Sequence, residues 1–127
     1  MDETTMKAIA QKLIGAWNAQ DVERLVACYT DDIAYVDPNT RGAVEGKDAN
    51  RRYLAKLFGK WNMTWALKQA YIFEDGSGCA AMWHATFQKP EGGETVEADG
   101  MDLVIVEGEL VKRNEVYFDR ALLATLI

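Results

Sequence analysis

The stretch that decides the fold is residues 94–118, ETVEADGMDLVIVEGELVKRNEVYF, near the end of a chain of 127 residues. It holds two runs of β-branched and aromatic residues on either side of Glu107-Gly108, and such runs around a glycine-containing dipeptide are typical of a β-hairpin. We interpret it as two antiparallel strands, residues 94–106 and 110–118, with Glu107-Gly108 as the loop.

This loop fixes an expected register for the hairpin. Asp102 would lie opposite Arg113, and directly opposed side chains share a face of the sheet. The same face would carry Glu115 and Tyr117, whereas the other face would carry Leu103, Ile105, Val116 and Phe118. We therefore expect an Asp102–Arg113 pair in a pocket, with the guanidinium favouring the carboxylate form of Asp102. The alternative is an exposed cross-strand ion pair of small energy.

The pattern outward from the hairpin predicts an α+β fold. An apolar stripe from Met6 to Trp17 indicates a first helix, Asp21 is a suitable N-cap for a short second helix, and a third runs from Lys47 to Gly59. Further strands are expected at residues 33–36, 61–68 and 79–88, followed after the hairpin by a short helical tail at 121–127. Helices first and strands afterwards predict three N-terminal helices packed on one face of a curved, mostly antiparallel sheet, as a single domain over residues 1–127.

The amino-acid composition and charge exclude several classes of function. The chain has 20 acidic and 14 basic residues, a net charge of −6, which argues against nucleic-acid partners and anionic membrane surfaces. It contains no apolar run of about 20 residues and begins with an acidic segment unlike a signal peptide. Cys28 and Cys79 form no CxxC motif and suit a reducing cytoplasm, and a single His84 excludes a multi-histidine metal site.

Several segments resemble one known family. They are Trp17-Asn18-Ala19-Gln20-Asp21, Tyr29-Thr30-Asp31-Asp32, Tyr35-Val36-Asp37-Pro38, and the closing run VYFDRALL at 116–123. Together they resemble the ketosteroid isomerase and SnoaL-like branch of the nuclear transport factor 2-like superfamily. The resemblance implies a cone-shaped fold with a ligand pocket in its open end, and a homodimer through the outer face of the sheet.

The resemblance also implies roles for individual residues. The aspartate before proline, here Asp37, matches the family's general base, and Asp102 matches a second, protonated aspartate that donates to an oxyanion. The family's tyrosine donor on the first helix corresponds to Leu13, which has no hydroxyl group, and loss of one such donor typically costs about 10²–10³ in rate. With Arg113, the pocket is similar in residue type to the Asp–Arg–Asp site of limonene-epoxide hydrolases.

Each of the other candidate residues also has a purely structural interpretation. We expect Trp17, Tyr53, Trp83, Glu115 and Tyr117 to contact the substrate, although core packing is the more common role for aromatic residues such as Trp17, Tyr53 and Tyr117. Asp37 has a structural alternative, because aspartate before proline commonly begins a turn. The alternation of Ala81, Trp83, Ala85 and Phe87 places His84 on the outer face of its strand.

The sequence therefore supports a pocket protein for a small hydrophobic or amphipathic ligand. The leading hypothesis is a cofactor-independent enzyme without a metal that isomerises, cyclises, or adds or removes water by means of Asp37, Asp102 and Arg113. The alternative is a non-catalytic ligand-binding or protein-interaction module. Acid–base chemistry needs the two aspartates to reach one cavity, whereas a binder needs only shape and a few polar anchors.

Overall fold

The computed structural model describes residues 2–126, and Met1 and Ile127 lie outside it. The helices are α1 (Glu3–Ala19), α2 (Val22–Val26), α3 (Lys47–Lys60) and a final 3₁₀ helix (Arg120–Leu126). The strands are β1 (Tyr29–Val36), β2 (Val44–Glu45), β3 (Asn62–Ile72), β4 (Gly78–Gln88), β5 (Thr95–Glu107) and β6 (Leu110–Tyr117). No helix among the described residues is long and apolar enough to cross a membrane.

The strands form one six-stranded sheet in the order β2-β1-β6-β5-β4-β3. The β1–β6 pair is parallel, and every other pair is antiparallel. Helix α1 packs on β3 and β4, and α3 packs on β1. The predicted α+β class is therefore confirmed. β1 begins at Tyr29, earlier than the predicted Ile33, and the short β2 was not predicted.

The end of α1 is joined to the edge strand β3 by two side-chain amides. Asn18 accepts a hydrogen bond from the Trp65 backbone N–H (2.7 Å) and donates one to the Trp65 carbonyl (2.9 Å). Gln20, which has a left-handed φ of 48°, accepts from the Met63 N–H (2.7 Å) and donates to the Trp61 carbonyl (3.1 Å). These side chains pair the backbone groups of an otherwise open sheet edge, so they hold α1 against β3.

The β5–β6 hairpin has a different loop from the predicted one. Gly108 has a φ of +62° and begins the loop, with Glu107 opposite Leu110. Positive φ at the first loop residue is the requirement that a type II′ turn places on glycine. The predicted loop at Glu107-Gly108 is therefore wrong by one position, because Gly108 is the first loop residue and Glu109 the second.

A β-bulge between Ile105 and Val106 changes the register further. The loop shift alone moves the pairing by an even number of positions and would have left each side chain on its predicted face. The loop shift moves the partner of Asp102 from Arg113 to Glu115, and the bulge adds one residue, Lys112, to β6, so that Asp102 lies opposite Val116. The predicted Asp102–Arg113 pairing is wrong for these two reasons.

The bulge also exchanges the two faces of β6. Val116, which is buried, and Phe118 lie on the inner side, contrary to their predicted outward position. Arg113, Glu115 and Tyr117 lie on the outer side, contrary to their predicted place in the pocket; their partners across the hairpin are Ile105, Leu103 and Met101.

The close approach of β4 and β5 gives a test of the fold. A Cβ atom on Gly78 would lie 1.9 Å from the Val104 carbonyl oxygen, whereas one on Gly59 in α3 would meet nothing within 4 Å. Gly78→Ala should lower the free energy of unfolding by about 3 kcal/mol through overpacking. Gly59→Ala should raise it by about 0.5–1 kcal/mol, because alanine has the better helix propensity. Urea denaturation of both variants measures this, and equal effects would contradict the β4–β5 packing.

Candidate functional site

An aromatic cavity lies between the helices and the inner face of the sheet. It encloses about 460 Å³ counting its opening to solvent, and it is narrow. Its only polar residues without aromatic rings, within the described chain, are Asp37, Asn39 and Asp102. The remaining lining is Ile14, Trp17, Tyr35, Leu57, Trp61, Met63, Trp65, Phe87, Val116, Phe118 and Leu123. Apolar walls with a few convergent polar groups are the usual form of a small-molecule site.

Asp37 is buried at the end of β1 and accepts four hydrogen bonds. Its Oδ2 accepts from the hydroxyl groups of Tyr35 (2.8 Å) and Tyr53 (2.5 Å). Its Oδ1 accepts from the backbone N–H groups of Asn39 (2.7 Å) and Thr40 (3.1 Å). The two backbone contacts form the predicted turn, and the two tyrosines place the same carboxylate on the cavity wall. Asp37 therefore stabilises the turn and also lines the cavity.

These four donors limit what Asp37 can do in the ligand-free site. A carboxylate offers about four lone-pair positions, and each of the four has a donor here. A proton can reach Asp37 only after one donor leaves. Of the two hydroxyl donors Tyr53 is the more accessible, because it is half-buried and lines a neighbouring recess, whereas Tyr35 is buried.

Asp102 lies on β5 with 4% of its surface exposed. Its Oδ1 accepts from the indole Nε1–H of Trp83 (2.8 Å), and its Oδ2 accepts from the side-chain amide of Asn114 (3.1 Å). Trp83 is fully buried on β4, so it supports Asp102 from behind and is absent from the cavity wall. Its predicted contact with substrate is replaced by this positioning contact.

Burial raises the pKa of Asp102 from 3.8 to about 6. The nearby Asp37 charge acts in the same direction, and the hydrogen bonds from Trp83 and Asn114 act against it. The expectation that a guanidinium would favour its ionised form is wrong, since Arg113 lies on the other face. Asp102 is thus a carboxyl group in the cavity that changes protonation at about pH 6, well above the usual range for aspartate.

The remaining predicted charged residues form a separate cluster outside. Arg113 Nε donates to Glu115 Oε2, and the Tyr117 hydroxyl donates to Glu115 Oε1 (2.5 Å). The Arg113 contact lowers the pKa of Glu115. Arg113 and Tyr117 are exposed, so the three residues that were expected in the pocket, Arg113, Glu115 and Tyr117, lie on the outer face instead.

His84 also lies on the outer face, as predicted. Its ring nitrogens lie 2.9 Å from carboxylate oxygens of Asp99 and Glu97. The bond to Asp99, followed by that to Glu97, raises the pKa of His84. It faces away from the cavity.

Trp17 lines the cavity as predicted, and it carries a feature that sequence reasoning missed. Its indole Nε1–H is buried and has no hydrogen-bond partner among residues 2–126, and the same holds for Trp65, whose ring lies 5.7 Å from that of Trp17. Buried donors are normally satisfied, so each unpartnered one requires an explanation. Leu13, one turn before Trp17, is buried in the core and is not part of the cavity wall.

Two further residues were missed. Tyr35 lies two positions before Asp37 on the same face of β1, and this period of two could have identified it. Asn114 contacts Asp102 only because of the bulge, which no sequence signal marked.

The buried carboxyl group predicts a specific dependence of stability on pH. The folded state retains the Asp102 proton up to about pH 6, whereas the unfolded chain releases it near 3.8. The stability from this group is therefore fully present below about pH 4 and is lost as the pH rises to about 6, a decrease of about 3 kcal/mol in the free energy of unfolding.

The measurement is urea unfolding from pH 4.5 to 7.5 for the wild type and Asp102→Asn. The difference between the two should change over this range, whereas Asp31→Asn, at a fully exposed side chain, should follow the wild type. Parallel curves for the wild type and Asp102→Asn would show that Asp102 is already ionised at pH 4.5.

Comparisons with known proteins agree with this architecture. SalBIII, an epoxide hydrolase/cyclase-like enzyme with a role in pyran ring formation in the polyether salinomycin, is 21% identical, with 94% of this chain and 95% of that chain covered and a TM-score of 0.82. A Mycobacterium tuberculosis protein in complex with estradiol-17β-hemisuccinate is 15% identical, with 93% and 96% covered and a TM-score of 0.79. A putative isomerase from Bacillus subtilis is 13% identical, with 99% and 95% covered and a TM-score of 0.87.

At these identities the similarities are those of fold. No curated protein matches the sequence. The model of the SnoaL-like domain matches residues 10–114, which is most of the chain. This protein belongs to the SnoaL-like family.

Proposed function

We propose that this SnoaL-like protein is a cofactor-independent enzyme that transfers a proton on a small, mostly apolar substrate bearing an oxygen function. The observation that carries the proposal is Asp102, a buried carboxyl group with a pKa raised to about 6, which shares one aromatic cavity with Asp37. A group of this kind is half protonated at about pH 6 and still about one tenth protonated at pH 7, so both forms are available for general acid or base catalysis. Strongly perturbed groups in a cavity are candidates for function on physical grounds.

The two carboxyl groups have different roles in this proposal. Protonated Asp102 donates to the substrate oxygen and stabilises the negative charge that develops there. Asp37 takes the proton from carbon, or from an attacking hydroxyl group, once the substrate displaces Tyr53 from Oδ2. The proton then returns to the product, so no redox partner is needed. Isomerisation next to a carbonyl and opening or closing of a cyclic ether both fit this sequence of transfers.

The unpartnered indole groups support a substrate with an acceptor oxygen. Trp17 and Trp65 each have a buried N–H without a partner among residues 2–126. A carbonyl or ether oxygen in the cavity would satisfy one of them, whereas a hydrocarbon would leave both unsatisfied. Trp17 thereby takes over part of the role that the resemblance assigned to the position of Leu13, one helical turn away.

A non-catalytic binder is the second candidate, and one observation favours it. All four lone-pair positions of Asp37 are occupied, so the carboxylate is held without a ligand and is not free to act as a base. In this case the cavity would hold a small apolar molecule by shape, with the indole groups as polar anchors.

The homodimer remains a proposal. The outer face of β5 and β6 presents Leu103, Ile105 and the half-exposed Tyr117, together with the exposed Arg113–Glu115 pair. The outer face is less apolar than the sequence predicts, because Val116 and Phe118 lie on the inner side of the sheet. Sedimentation at micromolar concentration tests it directly.

Turnover separates the enzyme from the binder. The assay is conversion of cyclohex-3-enone, a β,γ-unsaturated ketone, to its conjugated isomer. Asp102→Asn should lower the wild-type rate about 100-fold or more, and the wild-type rate should change with an apparent pKa of about 6. Asp31→Asn, which makes the same chemical change on the surface, should leave the rate unaltered. A ligand that binds without any turnover would favour the binder.

The indole groups give a second test, with a matched pair of ligands. Indan-1-one and indane differ by one carbonyl oxygen, so the ketone should bind about fivefold more tightly, the value of one neutral hydrogen bond. The Nε1–H resonance of Trp17 or Trp65 should move downfield with the ketone alone, whereas that of Trp83, already bonded to Asp102, should stay. Trp17→Phe should reduce the preference for the ketone. Equal affinities for indan-1-one and indane, with no shift of the indole resonances, would contradict the proposal that the substrate carries an acceptor oxygen.

A further inference from the structure

A second recess opens directly beside the aromatic cavity. It is wider than the cavity and more open to solvent. The two share four lining residues: Asn39, Leu57, Trp61 and Leu123. A molecule that extends out of the cavity in this direction therefore enters the recess, which we call the outer groove.

The outer groove is lined by three cations and no carboxylate. Lys56, Lys60 and Arg120 all line it, and none of them forms an ion pair within residues 2–126. In a chain with 20 acidic and 14 basic residues, a recess with this charge composition departs from the average surface. Three unpaired cations produce a local positive potential that attracts anions.

Two acidic residues close to these cations do not line the groove. Asp119 precedes Arg120, and its carboxylate accepts from the Ala121 backbone N–H at 2.9 Å. Glu91 lies beyond Lys60 in a neighbouring shallow recess, where Lys89 adds a further cation. The positive charge of the groove therefore remains available to a ligand.

Local structure places these cations next to the reactive groups. Tyr53, Lys56 and Lys60 follow at helical spacing along one side of α3, and the Tyr53 hydroxyl contacts Asp37. Arg120 begins the 3₁₀ helix that follows β6 and Phe118, a residue of the cavity wall. Both α3 and the 3₁₀ helix thus contribute side chains to the groove and to the cavity, through Leu57 and Leu123.

We propose that the ligand of this site is an amphipathic anion: its apolar, oxygen-bearing body occupies the aromatic cavity, and its anionic group lies between Lys56, Lys60 and Arg120. This inference rests on the proposed function for the use of the cavity, and it adds the chemical class and orientation of the ligand. The carboxyl groups of Asp37 and Asp102 make the aromatic cavity unfavourable for the anionic group of the ligand. The ligand can therefore bind in only one orientation, with its apolar body in the cavity and its anionic group in the outer groove.

A matched pair of fluorescent probes tests the charge of the ligand. 8-Anilinonaphthalene-1-sulfonate is an amphipathic anion, and N-phenyl-1-naphthylamine has the same ring system without the sulfonate. The sulfonate should bind about tenfold more tightly at low ionic strength, the combined effect of exposed ion pairs. This preference should decrease toward equality at about 0.5 M salt, because exposed charges are screened.

Charge reversal locates the anionic group. Lys60→Glu and Arg120→Glu should each weaken sulfonate binding about tenfold and leave the neutral probe unchanged. Arg52→Glu makes the same change on α3 in a different recess and should keep the wild-type preference. Equal affinities for the two probes, no binding of either probe, or an equal loss in Arg52→Glu would each overturn the proposal.

The two proposals fail in different ways. Probe binding involves no turnover, so Asp102→Asn should lose the isomerase reaction and retain the preference for the sulfonate. If charge reversal in the groove has no effect while Asp102→Asn still abolishes turnover, the anion site is wrong and the acid–base proposal stands. If the protein prefers the sulfonate and turnover does not depend on Asp102, the acid–base proposal is wrong and the anion site stands.

Discussion

The β-bulge between Ile105 and Val106 is the constraint on which the site depends. It moves the register of β6 by one position, so that Val116 and Phe118 face inward and Asn114 contacts Asp102. Without it, Asp102 would lie opposite Glu115, and Arg113 would lie on the same inner face opposite Val104, so the cavity would contain two further charged side chains. One inserted residue thus determines the electrostatic character of the whole cavity.

The cavity holds its two carboxyl groups by opposite means. Asp37 is surrounded by four donors, two of them backbone N–H groups of its own turn, so its position follows from local sequence. Asp102 has two donors from neighbouring strands and is otherwise enclosed by apolar side chains, so its position and its raised pKa follow from tertiary packing. Two chemically identical groups in one space are therefore not equivalent, and such a difference is what acid–base chemistry requires.

The fold was largely predictable from local patterns, and the site only partly so. Asp21 as a cap, the stripe ending at Trp17, and the alternation around Trp83 depend on spacing within one element, and each of these is present in the structure. The positions of Asp37 and Asp102 in a shared cavity followed from the resemblance. The partner of Asp102 could not be found, because pairing across a hairpin depends on a bulge whose position is set by packing on both faces.

The parallel pairing of β1 with β6 has a consequence for how the molecule is made. Val36 pairs with Glu115, so β1, which ends just before Asp37, has only the short β2 as a neighbour until almost all of the remaining chain exists. Contacts between residues so far apart in sequence form slowly, since a large loop must close first. During synthesis, the cavity lined by Trp17, Trp61 and Trp65 would remain incomplete until β6 leaves the ribosome, because Val116 and Phe118 form part of its wall. The aromatic lining that later receives a ligand is therefore the surface on which a nascent chain most needs protection from aggregation.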